Sequence, residues 1–378
     1  MDGNFGSMTP AKLLRQPTDV RYHSKGRLWQ GIPTIERTKT GKFYAAWYSG
    51  LRGEEPGNYV VVETSEDGEH WTDAFLVVEH DDPKVRCFDA CLWIDPQDRL
   101  WLTWTQSWGS NYDGRHGVWA AICEDPDAGI PVFSEPRRIA NGLMLNKPLV
   151  CRDGTWLFPC ALWPTRYLDA EHGDAHPELA EELGANVYAT TDEGKTFQRR
   201  GMAVVEERVF DEHHVVELAD GRLWMLTRTR YGLGQAFSSD GGYTWEQVGP
   251  SGHTGPNSRC CLRRLRSGKL LLVNHLNPTY VTAPKEWNVR NNLTAMLSED
   301  DGQTWQGLLV LDARSDVSYP DATEDEDGRI YVIYDRERYK AREILLATFT
   351  EADVLSGEIV TSGSSLRQVI NTASGVAE

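Results

Sequence analysis

The sequence has little of what marks membrane, metal-binding and nucleic-acid-binding proteins. No apolar run approaches the length of a membrane span. The seven cysteines follow no zinc-site spacing, and we expect them to be buried free thiols. Acidic residues outnumber basic ones by 56 to 39, and the net charge of −17 argues against a phosphate-backbone partner. We therefore expect no metal, no cofactor, no nucleic-acid partner and no membrane association.

The first residues, 1–14, lack a charged segment followed by an apolar one, which a secretory signal would have. We expect a cytoplasmic protein, or a secreted or periplasmic one from which a signal peptide has been removed. Helical periodicity is rare, and no stretch has the composition of a linker between domains. The sequence contains no indication of the oligomeric state.

A turn residue followed by an aromatic or aliphatic run recurs six times along the chain. The six anchors are Gly41, Asp98, Gly154, Gly221, Gly268 and Gly328. Strand-type units that repeat at intervals of roughly 60 residues are typical of small sheets arranged around one axis. The repeat predicts an all-β protein, a single six-bladed β-propeller with four antiparallel strands per blade.

The predicted repeat units follow one another over the chain. They are about 28–85, 86–143, 144–205, 206–255, 256–314 and 315–355. We expect the ring to be closed by an N-terminal strand around Thr18–Ser24 that pairs beside a last-blade strand at Glu343–Phe349. Closure of this kind leaves no open sheet edge.

Four units also carry an acidic turn box, which in its full form reads Ser-x-Asp-x-Gly-x-Thr-Trp. In such a box the Asp can accept hydrogen bonds from turn amides, the Gly takes a positive φ, and the aromatic residue packs between sheets. We therefore expect the box carboxylates to be structural and to lie on outer turns. They are Asp67, Asp192, Asp240 and Asp300.

Polar residues recur where the inner strand of each unit begins, and these positions meet at the mouth of a propeller. Further candidates come from the far ends of the second strands and from the loop after the first unit. The candidate catalytic residues are Tyr319, Glu212, Glu54, Glu55, Asp89 and His213. The candidate substrate-binding residues are Arg228, Arg290, Arg259, Lys147, Gln106, His275 and Asp321. The excess of cationic groups indicates a small anionic ligand, most simply a carboxylate.

The boxes and the residues at the mouth resemble the sialidase (neuraminidase) superfamily, whose members are six-bladed propellers. The resemblance spans residues of about 28–349. It implies that Tyr319 is a nucleophile activated by Glu212 of the segment DEHHVVE, and that Arg228 and Arg290 bind a substrate carboxylate. The family's acid/base is an Asp in the loop after the first blade, where this chain offers Glu54 and Glu55.

The chain departs from the family at one arginine. The family's Arg-Ile-Pro segment reads Gly31-Ile32-Pro33 here, so one cation of the carboxylate-binding set is missing. Arg27, Lys147 and Arg259 are the candidates to replace it in space.

The resemblance implies an exo-acting glycosidase of sialidase type that removes a terminal acidic sugar from a glycan. One alternative is a polysaccharide lyase or a rhamnosidase-type propeller enzyme acting at a uronic acid. A lyase would use His213, His214, His275 or Tyr319 as a base, with Arg259 or Lys147 neutralising the uronate. A second alternative is a non-catalytic glycan-binding propeller.

Overall fold

The strands of the chain form six antiparallel sheets. The computed structural model describes residues 6–50, 52–109, 116–163, 177–276 and 289–376. Among these residues the one α-helix is α1 (Glu351–Ser356), and 3₁₀ turns cover Gly6–Met8, Val20–Tyr22 and Pro177–Glu182. Within each blade the four consecutive strands pair in chain order. The predicted all-β, six-bladed propeller with four antiparallel strands per blade is confirmed.

The first three blades take their strands consecutively from the N-terminal half of the chain. The first blade contains β2 (Trp29–Arg37), β3 (Phe43–Gly50), β4 (Tyr59–Ser65) and β5 (Leu76–Glu79), and β1 (Lys12–Arg15) is added at its outer edge. The second contains β6 (Val85–Ile94), β7 (Leu100–Trp108), β8 (Gly117–Cys123) and β9 (Arg137–Asn141). The third contains β10 (Leu149–Val150), β11 (Trp156–Leu162), β12 (Gly184–Thr190) and β13 (Gln198–Ala203).

The other three blades repeat this arrangement. The fourth contains β14 (Arg208–Glu217), β15 (Leu223–Thr229), β16 (Gly232–Ser238) and β17 (Glu246–Thr254). The fifth contains β18 (Cys261–Arg264), β19 (Leu270–His275), β20 (Leu293–Ser298) and β21 (Gln306–Asp312). The sixth contains β22 (Val317–Glu324), β23 (Arg329–Arg336), β24 (Glu343–Thr350) and β25 (Ser365–Thr372).

The core lies between neighbouring blades, because both faces of the middle strands are apolar and buried. Between the third and fourth blades, for example, Leu157 and Val187 pack in one cluster with Leu223 and Met225, and the box residue Trp245 covers this cluster. All seven cysteines are free, and six of them are buried. No helix in the described part of the chain is long and apolar enough to cross a membrane.

The acidic boxes make the turns between the third and the fourth of the four consecutive strands of their blades. Asp240 shows the pattern: its Oδ1 accepts from the backbone N–H of Thr244 at 2.9 Å, and its Oδ2 accepts from the Thr244 hydroxyl at 2.7 Å. These backbone and side-chain bonds from Thr244 lower the pKa of Asp240 to about 2. Asp192 and Asp300 accept the same pair of bonds from Thr196 and Thr304. The box carboxylates therefore hold turns, as predicted.

The ring is not closed by the predicted N-terminal strand. Strand β1 pairs with β5 of the first blade, and residues 18–24 contain the 3₁₀ turn Val20–Tyr22 instead of a strand. The sixth blade takes its outer strand, β25, from the C-terminal end of the chain. Backbone and side-chain bonds join the first and last blades, such as Arg342 Nη1 to the Leu28 carbonyl at 2.8 Å. The prediction was wrong because it did not recognise the strand at Ser365–Thr372.

We expect a substitution at the box glycine Gly302 to be destabilising for two reasons, the lack of space for a side chain and the left-handed backbone. The anchor glycine Gly328 is the comparison, because only the second reason applies there. A Cβ on Gly302 would lie 2.6 Å from the Trp224 ring, and φ is +84°. Gly328 has a similar φ of +78° but no atom within 4 Å of such a Cβ. Gly328→Ala should therefore lower the free energy of unfolding by only about 1–2 kcal/mol, which is the cost of a left-handed backbone conformation for alanine. Gly302→Ala should lower the free energy of unfolding by about 1–3 kcal/mol more, because the Trp224 indole must move to make room for the Cβ.

The measurement is a thermal unfolding curve for each of the two variants beside the wild type. Equal midpoints for Gly302→Ala and Gly328→Ala would show that the contact with Trp224 does not matter.

Candidate active site

The inner strands of four blades contain a β-bulge at the mouth of the propeller. The ladder shifts register within β2, β6, β14 and β22. Each bulge contains a non-glycine residue with positive φ: Ile32 (60°), Asp89 (47°), Glu212 (44°) and Tyr319 (54°). A bulge redirects a side chain that regular alternation would place in a sheet face. Left-handed backbone is costly for such residues and is concentrated at functional sites, so the bulges indicate where a site has been built.

Two of these bulge residues form a hydrogen-bonded pair. The Tyr319 hydroxyl donates to Glu212 Oε1 at 2.9 Å. Arg228 Nη1 donates to Glu212 Oε2 at 2.8 Å and to the Tyr319 oxygen at 2.9 Å. Burial raises the pKa of Tyr319 to about 12, although the Arg228 guanidinium acts in the opposite direction. The tyrosine is therefore a neutral phenol whose proton already points at a carboxylate.

Three more guanidinium groups surround the Tyr319 ring. The Cζ atoms of Arg338, Arg290 and Arg259 lie 4.4, 5.3 and 5.3 Å from the ring centroid. Burial lowers the pKa of Arg290, and the positive charges of Arg228 and Arg338 lower it further. So many cations close together repel one another, and the arrangement favours an anion that would lie among them.

A cavity of about 630 Å³ opens above this cluster. Its lining residues come from the last blade, the fourth blade and the loops beside them. They are Glu54, Arg228, Arg290, Asp316, Ser318, Glu337, Arg338, Tyr339 and Lys340. Tyr319 is only 5% exposed and lies beneath this lining. The volume suits a small ligand, and the cationic floor suits an anionic one.

Two carboxyl groups differ in their exposure to water: Glu54 lines the cavity, whereas Asp89 is buried and is not among the lining residues. Burial raises the pKa of Asp89 to about 8, the charges of Glu212 and Glu54 raise it as well, and the Arg86 guanidinium opposes them. The protonated form of Asp89 is therefore favoured more strongly than that of an ordinary carboxyl group. The Glu54 side chain is 39% exposed and reaches Arg338 Nη1 at 3.4 Å. A buried carboxyl that stays protonated at neutral pH can supply a proton to a bound ligand.

Lys147 and Asp321 lie outside the cavity, contrary to expectation. The Lys147 ammonium donates to the carbonyls of Ile35 and Leu92 and forms ion pairs with Glu36 at 2.8 Å and Asp321 at 3.1 Å. Burial alone would lower the pKa of Lys147, but Asp321 and Glu36 raise it overall. All of these acceptors belong to the protein, so the ammonium is used to join blades at the axis.

Arg259 and Arg27 do not occupy the place of the missing family arginine. Arg259 is fully buried beneath Tyr319, and it donates to the carbonyls of Leu145 at 2.6 Å and Pro320 at 2.8 Å. Arg27 is fully buried elsewhere, where it pairs with Glu63 at 3.0 Å. Neither residue lines the cavity.

Four other candidates bind protein groups instead of facing the cavity. Gln106 holds the N-terminal segment, since it accepts from the Ala11 N–H at 3.2 Å and donates to the Thr9 carbonyl at 2.8 Å. His213 and His275 bond to the carbonyls of Asn186 and Asn291, and burial lowers the pKa of each to about 4. Glu55 accepts from the Arg52 N–H within its own loop. These residues were expected at the mouth because the phase of the repeat does not show on which side of a strand a side chain lies.

The sequence-based prediction missed Arg338. This residue follows β23 in a segment that also contains Arg336, Lys340 and Arg342. Basic residues at alternate positions on a loop are ordinary surface features, so no local signal shows which one turns inwards. The glycine at position 31 was a signal that another group fills this space, but only the structure shows that the group is Arg338.

The fold and the site define a six-bladed propeller that carries a tyrosine–glutamate pair beneath an arginine-lined cavity. A family described as BNR repeat-like domain matches residues 41–332, and the chain belongs to this family. A comparison with curated proteins gives no match.

Several solved structures are similar to the chain. An intramolecular trans-sialidase from Ruminococcus gnavus, in complex with oseltamivir carboxylate, has 13% identity and a TM-score of 0.64 over 89% of this chain and 97% of that one. The NanB sialidase from Streptococcus pneumoniae has 11% identity and a TM-score of 0.63 over 96% of this chain and 70% of that one. A Dyadobacter fermentans protein of unknown function has 17% identity and a TM-score of 0.61 over 89% and 96%. At these identities the likeness establishes the fold.

The buried cations below and beside the cavity should differ in their effect on stability. Lys147→Met leaves Glu36 and Asp321 buried without their partner, and removing one member of a buried ion pair costs about 3–5 kcal/mol. Arg290→Met removes a cation that its neighbours repel, together with one hydrogen bond from Nη2 to the Asn257 carbonyl at 3.0 Å, so this variant should lose less stability than Lys147→Met. Thermal unfolding of both variants tests this difference. A Lys147→Met protein as stable as Arg290→Met would contradict the structural role given to Lys147.

Proposed function

We propose that the protein is an exo-acting glycoside hydrolase that removes a terminal acidic sugar from a glycan. One observation carries the proposal: the Tyr319 hydroxyl donates to Glu212 directly beneath a cavity lined by guanidinium groups. The sialidase and trans-sialidase among the structural neighbours support the same chemistry, and a Penicillium chrysogenum α-L-arabinanase with a TM-score of 0.55 supports a glycosidase more broadly.

The anionic group of the substrate binds first, among the arginines. Carboxylate is the simplest choice because a guanidinium can bind it through two parallel hydrogen bonds. Arg228 already donates to Glu212 and Tyr319. A bound carboxylate competes for this guanidinium and draws it towards the cavity, which opens the phenol oxygen to the sugar.

Tyr319 then attacks the anomeric carbon. Its oxygen forms a bond to that carbon while its proton passes to Glu212 Oε1, and the bond to the leaving-group oxygen breaks. A neutral phenol suits this step, because a carboxylate nucleophile would be repelled by the carboxylate of the substrate. Tyrosine nucleophiles are a recognised exception to hydrolysis by two carboxylates.

In this proposal Asp89 donates the proton to the leaving-group oxygen, because burial raises its pKa to about 8. Once ionised, it takes a proton from the water that attacks the glycosyl–tyrosine bond, and Tyr319 recovers its proton from Glu212. Two successive displacements at one carbon give a product with retained anomeric configuration.

The histidines that a lyase would use as bases lie outside the cavity. His213, His214 and His275 bond to backbone carbonyls, and burial lowers the pKa of His214 to about 3. Of the four candidate bases of a lyase, the three histidines are therefore not placed to act on a ligand in the cavity, and Tyr319 alone is beside it.

Tyr319→Phe should lower glycoside cleavage by about 10²–10⁴-fold or more, because both the nucleophile and its proton are lost. The substrates are sialosides, other nonulosonic acid glycosides and uronate oligosaccharides, and products are read by mass spectrometry and by anomeric NMR signals. Tyr334→Phe is the matched control, since this buried tyrosine of the same blade bonds to Asp312 and does not line the cavity. A product that has not gained the mass of water would indicate elimination. Unchanged activity in Tyr319→Phe would exclude the nucleophile.

The rate on a glycoside with a poor leaving group should fall as the pH rises above about 8, because Asp89 is the proton donor only below its pKa. Glu54→Gln should move this fall to lower pH, since the Glu54 charge raises the pKa of Asp89. Asp89→Asn should lower kcat/KM by about 10²–10⁴-fold for a substrate with a poor leaving group, and by much less for an activated aryl glycoside.

The measurement is a pH profile of kcat/KM for both kinds of substrate. If Glu54→Gln shows the larger dependence on the leaving group, the proton donor is Glu54 and the role of Asp89 is excluded.

A further inference from the structure

Gly31 and Arg338 occupy one space between them. A Cβ built on Gly31 would lie 2.6 Å from Cδ of Arg338, 2.8 Å from its Nε and 2.9 Å from its Cγ. These are atoms of the stem and the first nitrogen, which cannot move without moving the guanidinium. Any side chain at position 31 therefore excludes Arg338 from its present position.

Two hydrogen bonds hold the Arg338 side chain in place. Its Nε donates to Asp335 Oδ2 at 2.8 Å, and its Nη2 donates to Ser318 Oγ at 3.0 Å. Asp335 is fully buried, and the same Oδ2 accepts from the Ile32 N–H at 2.7 Å. One carboxylate thus ties Arg338 to the residue that follows Gly31.

The Nη1 group of Arg338 is held less tightly, and Arg338 lines the cavity. Nη1 has one long contact, to Glu54 Oε1 at 3.4 Å, and the Glu54 side chain is partly exposed. A guanidinium has five N–H groups, so donors remain for a ligand. The group also lies 4.4 Å from the Tyr319 ring centroid, beside the proposed nucleophile.

We propose that Arg338 recognises the carboxylate of the substrate from the sixth blade, and that Gly31 is the specificity-determining residue that makes room for it. The inference rests on the proposed function for the identity of the ligand. It differs from the sequence-based expectation, which gave Arg27, Lys147 and Arg259 as the candidates, because the cation comes from the loop after β23. The clamp is therefore complete, with Arg228, Arg290 and Arg338 as its members.

The test compares binding of carboxylate sugars with binding of their neutral methyl esters. The probes are N-acetylneuraminic acid and D-glucuronic acid, each beside its ester, measured by isothermal titration calorimetry. The wild type should prefer at least one acid over its ester. Arg338→Met, which removes the charge, and Gly31→Ala, which displaces it, should each reduce this preference by about 10-fold or more.

An exchange variant separates the loss of the cation from general damage. Gly31→Arg combined with Arg338→Gly returns a guanidinium to the cavity from the other blade, and it should recover most of the preference lost in Arg338→Gly. Gly249→Ala is the matched control, since Gly249 also lies in a strand but a Cβ added there would have no atom within 4 Å. It should bind as the wild type does.

The result that overturns the inference is a preference for the acids that survives in Gly31→Ala or Arg338→Met, or no such preference in the wild type. A preference that depends on Arg338, in a protein that cleaves no glycoside, would support the inference while excluding the proposed hydrolase.

Discussion

The structure depends on two buried cations that donate to backbone carbonyls at the propeller axis. Lys147 Nζ lies 2.8 Å from the carbonyl oxygen of Ile35 and 2.6 Å from that of Leu92, which belong to the first and second blades. Arg259 Nη2 bonds to the carbonyl of Tyr319 at 3.1 Å. The bulges interrupt the ladders of the inner strands, and a buried carbonyl without a partner is costly. A cation with several donors satisfies carbonyls from different blades at once, so the ring closes around these two side chains.

The same constraint explains how the site can be strained. Glu212 and Tyr319 are held with positive φ, which L-residues adopt only when the surroundings impose it. Arg259 bonds to the carbonyls of both Tyr319 and Pro320, and Asn146 Nδ2 bonds to the carbonyl of Glu212 at 2.9 Å. The backbone of each reacting group is thereby fixed from below by another blade. The buried polar residues therefore fix the backbone of the site, and the reacting side chains lie in the layer above them.

The repeat is sufficient to predict the fold, because each anchor is a local turn signal followed by an alternating strand. The phase of the repeat also finds Tyr319 and Glu212, since equivalent residues of equivalent strands meet at one mouth. It cannot separate the layer that faces the cavity from the layer beneath it. Lys147 and Arg259 have the same phase and the same charge as true cavity residues, but they precede β10 and β18, whose pairing with the next strand shows no bulge, and they donate to backbone carbonyls instead of lining the cavity. Arg338 lies on a loop, outside the repeat, and only its contact with Gly31 reveals it.

The arrangement of charges also explains why a tyrosine with a carboxylate partner suits an anionic substrate. In the free site, burial raises the pKa of Tyr319, and the charges of Arg228, Arg290 and Arg338 lower it. A substrate carboxylate bound among these arginines would neutralise part of the field that favours a phenolate. The phenol therefore becomes a weaker acid at the moment when it must react. A cationic pocket cannot by itself activate the nucleophile, and the proton needs an acceptor that already touches the hydroxyl. Glu212 Oε1, at 2.9 Å, is in that position before any ligand binds.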